Sequence, residues 1–275
     1  MSLNFCILAS GSSGNCSVIW DEKTAVLIDC GCSSKYVVEN LNKLGLLPKN
    51  LTAAFITHAH TDHLSASGLD LLGKNNIPIY LHEDSYEDIY KKYGSKIKEC
   101  VSIPFYKNIE IQNIFVEPFD AYHKDANVSH AFGFTFSSTL NARKYKIGYL
   151  TDTGKICSAI IKKLINSNIL VIESNYNRTM LDLSFRPYDN KKWTASSWGH
   201  LSNEDAADAI CAIKQLSTSK DSLKYVFLAH ISQHHNTHDI AMKTVKEILL
   251  SKGINNDIQL IIAKRKQKSQ TIRIS

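Results

Sequence analysis

At 275 residues, with 44% hydrophobic and 21% charged residues, the chain is long enough to bury a full core and has the composition of an ordinary soluble globular protein. Its seven cysteines are odd in number and scattered singly through apolar runs, which excludes a secreted disulfide scaffold and points to a reducing cytoplasm. No signal-like start and no apolar run near the ~20 residues of a membrane span is present, and the net charge of +6 leans towards an anionic partner.

Asn4 to Ala9 reads as a short strand. It runs into Ser10-Gly11-Ser12-Ser13-Gly14-Asn15, small residues that permit tight turning and close backbone approach. Ser17 to Trp20 and Ala25 to Asp29 read as two more strands, joined by the polar turn Asp21-Glu22-Lys23. Asp29 closes an apolar run just before Gly31, where a carboxylate either caps a helix or orients a histidine beside a metal loop. Cys30-Gly31-Cys32 is too closely spaced for the usual zinc pair and reads as structural or incidental. Ser33 to Gly45 has the pattern of an amphipathic helix, with Ser33 as its N-cap and Gly45 as its stop.

The apolar β-run Ala53 to Ile56 then turns into Thr57-His58-Ala59-His60-Thr61-Asp62-His63. A strand delivers its end rigidly, so the loop after it can aim several imidazoles at one point. Neutral imidazole is the commonest metal ligand, and a neighbouring carboxylate suits a hard or borderline divalent cation. His-x-His-x-Asp-His is too dense for a casual surface loop, and it predicts a metal site.

Beyond it, Ser65 to Lys74 reads as a helix, Pro78 to Leu81 as a strand and Glu83 to Lys92 as a charged helix, with His82 expected to be solvated. A β-rich middle follows, including Ile109 to Phe119 as one run, Phe132 to Ser138 and Lys146 to Thr151. Two of its strand ends carry further ligand types: His123 after Pro118-Phe119, and Asp152 in Thr151-Asp152-Thr153-Gly154. Val226 to Ser232 repeats the arrangement with His230. A histidine cluster needs more ligands to complete a site, so these ends are expected to converge on the metal loop.

Arg178 to Trp198 is expected to be irregular. Its Arg178, Arg186, Lys191 and Lys192, interleaved with Trp193 and Trp198, either track a phosphate backbone while stacking on bases or form a surface excursion packed on the body. Asn203 to Leu216, capped by Ser202, and Thr237 to Leu250 read as helices, and His234, His235 and His238 as mostly solvated. Lys264, Arg265, Lys266 and Lys268 are expected at the turn of a final hairpin. Strands and helices alternate in both halves with no linker between them. That suits two sheets packed face to face with helices outside.

The order of these segments resembles the YycJ/WalJ-type branch of the metallo-β-lactamase-fold hydrolases, which is similar to DNA exonucleases. The likeness is carried by Ser10 to Asn15, the Asp29 strand end, His58 to His63, Thr151 to Gly154, Gly199-His200-Leu201-Ser202-Asn203 and His230-Ile231-Ser232, and it covers nearly the whole chain. It implies the α+β class, as a four-layer αβ/βα sandwich, with residues 1–275 forming one domain of two pseudo-equivalent halves. It also implies two divalent metal ions per chain, zinc or manganese. Carried over by position, His58, His60 and His123 hold one ion, Asp62, His63 and His230 hold the other, and Asp152 bridges them. Asp29 stands behind the ligands. Asp62 and His200 are the expected catalytic residues; His200, just before a helix start, would help the departing oxygen. Ser232 and Asn236 join Arg178, Arg186, Lys191 and Lys192 as candidate substrate contacts.

This chain departs from the family pattern in two places. The family usually has His-Asp-Ala where this chain has His123-Lys124-Asp125-Ala126, with a longer stretch to Gly133, so His130 rivals His123 as the third ligand of the first ion. The family also often carries a histidine where this chain has Tyr176. The resemblance implies a phosphodiesterase acting on nucleic acid, DNA above all, as a 5′–3′ exonuclease. The alternatives are a small-molecule hydrolase of a thioester, lactone or cyclic phosphodiester, and a non-catalytic metal-binding module. No long inserted domain is present, which argues against the larger RNA-processing relatives.

Overall fold

Short apolar strands with two buried faces form the centre of the molecule, and amphipathic helices cover them. The computed structural model describes residues 2–140, 142–254 and 257–275. The first half runs β1 (Leu3–Ala9), β2 (Cys16–Trp20), β3 (Ala25–Ile28), α1 (Ser34–Lys43), β4 (Ala53–Phe55), α2 (Ala66–Lys74), β5 (Ile79–Leu81), α3 (Glu83–Tyr93), α4 (Ser95–Lys98) and β6 (Ser102–Pro104). The second begins with β7 (Ile109–Ile111), β8 (Ile114–Asp120), β9 (Phe132–Leu140), β10 (Arg143–Leu150), α5 (Ser158–Leu164) and β11 (Ile169–Glu173). It continues with α6 (Arg178–Leu183), α7 (Tyr188–Thr194), α8 (Asn203–Leu216), β12 (Tyr225–Ala229), α9 (His238–Ser251), β13 (Gln259–Ile262) and β14 (Ile272–Ile274).

Two seven-stranded mixed sheets result, ordered β14-β1-β2-β3-β4-β5-β6 and β13-β12-β11-β10-β9-β8-β7. Their inner faces meet in an aromatic core of Phe5, Phe55, Phe134, Phe136 and Phe227, all fully buried, with edge-on ring contacts such as Phe55–Phe136 at 5.6 Å. On the outer face of the first sheet, Leu8, Leu27 and Ile56 pack on Val37 and Leu41 of α1 and Leu69 and Leu72 of α2. On the second, Leu150, Leu170 and Leu228 pack on Leu164 of α5, Ile210 of α8 and Val245 of α9. The four layers are the expected sandwich.

Strand direction positions the site. β3, β4, β5 and β6 pair in parallel, and so do β10, β11, β12 and β13. Parallel strands deliver all their C-terminal ends to one edge, where open α/β sheets bind ligands. The ends of β3, β4, β10, β11 and β12 bring Asp29, the Thr57–His63 loop, Asp152, Glu173 and His230 to that edge.

Local chemistry explains most boundaries. Ser33, Ser65, Ser202 and Thr237 each cap a helix by accepting a backbone N–H at its third position, and Gly45 ends the turn after α1 at φ +76°. Three expectations are corrected. Ile109 to Phe119 is not one strand but the hairpin β7–β8, which turns at Gln112 (φ 54°). Arg178 to Trp198 is not irregular: Asn177 accepts from Met180 N–H to start α6, and α7 follows. β13 and β14 do not form a hairpin; they lie in different sheets, and the basic run between them crosses from one to the other. Among the described residues, no helix is long and apolar enough to cross a membrane.

The metal loop also needs close backbone approach. Gly31 lies so near the Asp62 carbonyl, and Gly68 so near that of Cys30, that a Cβ on either would collide with backbone. Gly31→Ala should therefore lower the melting temperature by several degrees and reduce bound metal together, as read by calorimetry and metal analysis.

Candidate metal centre

The loop after β4 is held from beneath. Asp29 is fully buried, and its carboxylate accepts from Thr57 N–H at 2.8 Å and lies 2.8 Å from His63 Nδ1. The Thr57 hydroxyl stands between two rings, 3.1 Å from His58 Nδ1 and 2.9 Å from His63 Nδ1. With their Nδ1 atoms engaged, His58 and His63 turn Nε2 towards the cluster. For His60 the ring is reversed: Asp125 meets its Nε2 at 3.0 Å, and Nδ1 faces His58 Nε2 at 3.0 Å. Such outer hydrogen bonds fix the tautomer and orientation of a metal-binding histidine.

His58, His60 and His123 bring ring nitrogens to within 4.8 Å of one another, and so do the donor atoms of Asp62, His63 and His230. Asp152 completes a third such group with His58 and His63, between the other two. All seven expected donors are thus brought together. His130 is not. It stacks on His82 at 3.7 Å between ring centres, with Nε2 3.2 Å from Asp120, in a separate group with Asp84. His82 is accordingly a half-buried stacking partner and the N-cap of α3, not a solvated side chain.

The donor set fits divalent cations. His123 is buried, its Nδ1 donates to the Gly199 carbonyl at 2.9 Å, and its Nε2 is buried without a partner. Asp152 Oδ2 is likewise buried and accepts no hydrogen bond, although His63 Nε2 lies 3.2 Å away. Unpaired buried polar atoms are costly, and a cation satisfies both. Burial pushes His58 well below the usual histidine range and His123 down to about 4, leaving both as neutral imidazoles. Burial also opposes charge on His63 and His230, but there the carboxylates outweigh it. Asp29, Asp152 and Asp62 hold His63 well above its ordinary value, and Asp152, Asp62 and Glu173 raise His230 to about 10. The centre demands positive charge, which divalent ions would supply in place of those protons.

Glu173 was missed as a site residue. It is fully buried at the end of β11, and Oε1 lies 2.7 Å from His200 Nδ1 and 3.0 Å from His230 Nδ1. The signal was visible, since Glu173 closes an apolar run as Asp29 does. Asn15 was read only as part of a turn, yet its Nδ2 reaches Asp62 Oδ2 at 3.2 Å and His63 Nε2 at 2.9 Å. His200 stands beside the cluster, its ring centre 5.0 Å from His123 and 5.4 Å from His230. Asp29, Asp152 and His230 all adopt left-handed backbone, at φ 59°, 53° and 51°. Strand-end residues in that strained region bend the chain abruptly and turn their side chains inward.

Several expected substrate contacts are used differently. Arg178 pairs with Asp205 at 2.8 Å and with Glu204 at 3.5 Å. Lys191 Nζ donates to the carbonyls of Asp182 and Ser184. Asn236 is buried and bonds Asn203 and the Ser174 and Asn175 carbonyls, while the Ser232 hydroxyl accepts from His234 and His235 N–H. These four hold loops together; Arg186 and Lys192 remain exposed. His235 is buried rather than solvated.

Fold and site together define a metallo-β-lactamase-fold hydrolase. Residues 24–231 match the β-lactamase superfamily domain, and the chain belongs to that family. It is 29% identical over 256 residues to a Bacillus anthracis protein named exodeoxyribonuclease YycJ, covering 92% of this chain and 91% of that one. Among solved structures, the metallo-β-lactamase-fold protein YhfI from Bacillus subtilis superposes with a TM-score of 0.70 at 15% identity, over 99% of both chains. Human tRNase Z, short form, superposes with a TM-score of 0.63 at 16% identity, over 97% of this chain and 98% of that one.

His123→Ala should lower bound metal while His130→Ala spares it, as counted by metal analysis of purified protein; the opposite result would move the ligand along the loop. Because a metal must displace protons from His63 and His230, apparent metal affinity should keep rising with pH above neutrality. Calorimetric titration in two buffers of different ionisation enthalpy would count the protons released. Glu173→Gln should cut affinity or turnover by roughly 10- to 100-fold, since it loosens His200 and His230 together.

Proposed function

We propose that this protein hydrolyses phosphodiester bonds of nucleic acid, DNA above all, as a 5′–3′ exonuclease. His58, His60 and His123 would hold one divalent ion, zinc or manganese, and Asp62, His63 and His230 a second, with Asp152 between them. When bound, the two ions supply an activated water and a clamp on the oxygens of an in-line displacement at phosphorus.

The observation that carries this reading is the setting of His200. Its Nδ1 is bound to Glu173 at 2.7 Å, and the ring stands beside both histidine groups. With Nδ1–H donated to the carboxylate, Nε2 is the atom that takes up or gives a proton, as departure of a poor alkoxide leaving group requires. Leu201 N–H and Thr153 N–H also donate to Glu173 Oε2, at 3.2 and 3.1 Å, so the carboxylate is fixed before any substrate arrives. The choice of DNA is supported by the relative named an exodeoxyribonuclease, which this chain matches over nearly its full length.

The test offers purified, metal-loaded protein end-labelled DNA, end-labelled RNA and a chromogenic small phosphodiester. Shortening of DNA from its 5′ end, faster than RNA, is expected; turnover of the small diester alone would favour the small-molecule hydrolase. His200→Ala should leave DNA binding intact and lower turnover by roughly 10²–10⁴-fold. The loss should be smaller for a diester with a good leaving group, which departs without a proton.

A further inference from the structure

The α6–α7 segment ends in a feature that the metal chemistry leaves unexplained. Phe185 has a relative exposure of 107%, and Leu183 and Tyr188 beside it are 77% and 75% exposed. Water-facing aromatic side chains of this size, clustered on one turn, mark a contact surface. The turn is not slack. Lys191 Nζ clamps it by donating to the carbonyls of Asp182 and Ser184 at 2.9 and 3.0 Å, and Ser184 N–H closes back on the Leu181 carbonyl. Phe185 is thus held outward.

Facing this turn is the His234–His235 segment, and the two enclose a groove of about 600 Å³. Met180 and Phe185 provide apolar wall, while Arg186, His234 and His235 provide the polar one; among the described residues, no carboxylate lines it. His235 is only 7% exposed, and its Nε2 is buried without a partner. Its backbone is secured by the bond from Asn177 N–H to the His235 carbonyl at 2.8 Å, so the ring is positioned by the fold. An exposed guanidinium beside an exposed aromatic face suits an anionic ligand with a flat ring. A nucleotide has both parts.

The groove is joined to the metal centre by α7. At the far end of that helix Trp193 lies 5.5 Å, ring to ring, from both His123 and His200. Seven helical residues span about 10 Å, or roughly three nucleotides of stacked strand.

We infer that this groove holds a nucleotide of the substrate strand a few positions from the bond being cut, its base stacked on Phe185 and its phosphate on Arg186. The inference rests on the nucleic-acid reading above and adds a specificity determinant to it: preference for strands long enough to reach the groove. Charge complementarity selects this occupant over a second copy of the chain, since Arg186, with no carboxylate among the lining residues to neutralise it, would repel its own equivalent.

The experiment compares wild type, Phe185→Ala, Phe185→Trp and Arg186→Gln, all metal-loaded. The substrates are a DNA octanucleotide, a DNA dinucleotide and a chromogenic small diester. Both side chains are exposed, so the variants should fold normally, as melting temperature checks. Phe185→Ala should raise the octanucleotide KM about ten-fold, the scale of one lost base–aromatic stack, and leave the other two substrates unchanged. Phe185→Trp should restore the wild-type KM. Arg186→Gln should reduce the log–log salt slope of octanucleotide binding by about one. If wild type cuts the octanucleotide and the variants do so with unchanged KM, the groove assignment falls and the nucleic-acid reading stands. If light scattering then shows wild type as a dimer and Phe185→Ala as a monomer, the surface is a self-association face instead. If wild type cleaves only the small diester, the nucleic-acid reading itself falls and takes the groove with it.

Discussion

Negative charge buried at the edge between two sheets is the constraint on which this structure depends. Asp29, Asp152 and Glu173 are each at most 1% exposed, and Asp62 lies against the same histidines. Carboxylates so placed cost several kcal/mol each unless paired. The protein pairs them with histidines, Asp29 with His63 and Glu173 with both His200 and His230. Removing any one partner would leave its neighbour buried and uncompensated, so the cluster behaves as a unit rather than as a set of separable ligands.

The fold answers this constraint with strand direction. Two parallel blocks, β3 to β6 and β10 to β13, send their C-terminal ends to one edge, and the aromatic core between the sheets fixes the distance across which those ends must meet. Left-handed backbone at Asp29, Asp152 and His230 then bends each chain end inward. Each such residue costs of order 1–3 kcal/mol, a price that the surrounding sheet is rigid enough to bear. Preorganisation of the donors and strain at the strand ends are two aspects of one design. The carboxylates behind the histidines prevent the rings from turning away to relieve it.

The outer segment from α6 to α7 is built on a different principle. Short helices α6 and α7 lie outside the sandwich, tied down by Asn177 at one end and by the bond from His200 N–H to the Thr194 carbonyl at the other. Leu183, Phe185 and Tyr188 there face water, while Leu181 is buried. Cations that composition alone marks as free are divided by the fold into two groups. Arg178 and Lys191 hold the scaffold together, while Arg186 and Lys192 stay exposed.

What the sequence determined by itself was the chemistry that must converge. The dense histidine loop, the carboxylate or histidine closing several apolar runs, and the serine caps are local patterns, readable because a strand end or a helix start is specified within a few residues. Alternation of strands and helices likewise made the four layers legible. Tertiary structure alone brought His123 rather than His130 beside His58, because that depends on which ring faces His58 across the gap between two sheets, far along the chain. It alone gave Glu173 two histidine partners, drew Asn15 into the site, placed β13 and β14 in separate sheets, and paired Arg178 with the first turn of α8. In each case the deciding quantity is a distance between segments remote in the chain, and such distances are set by sheet order and packing rather than by any residue's own preferences.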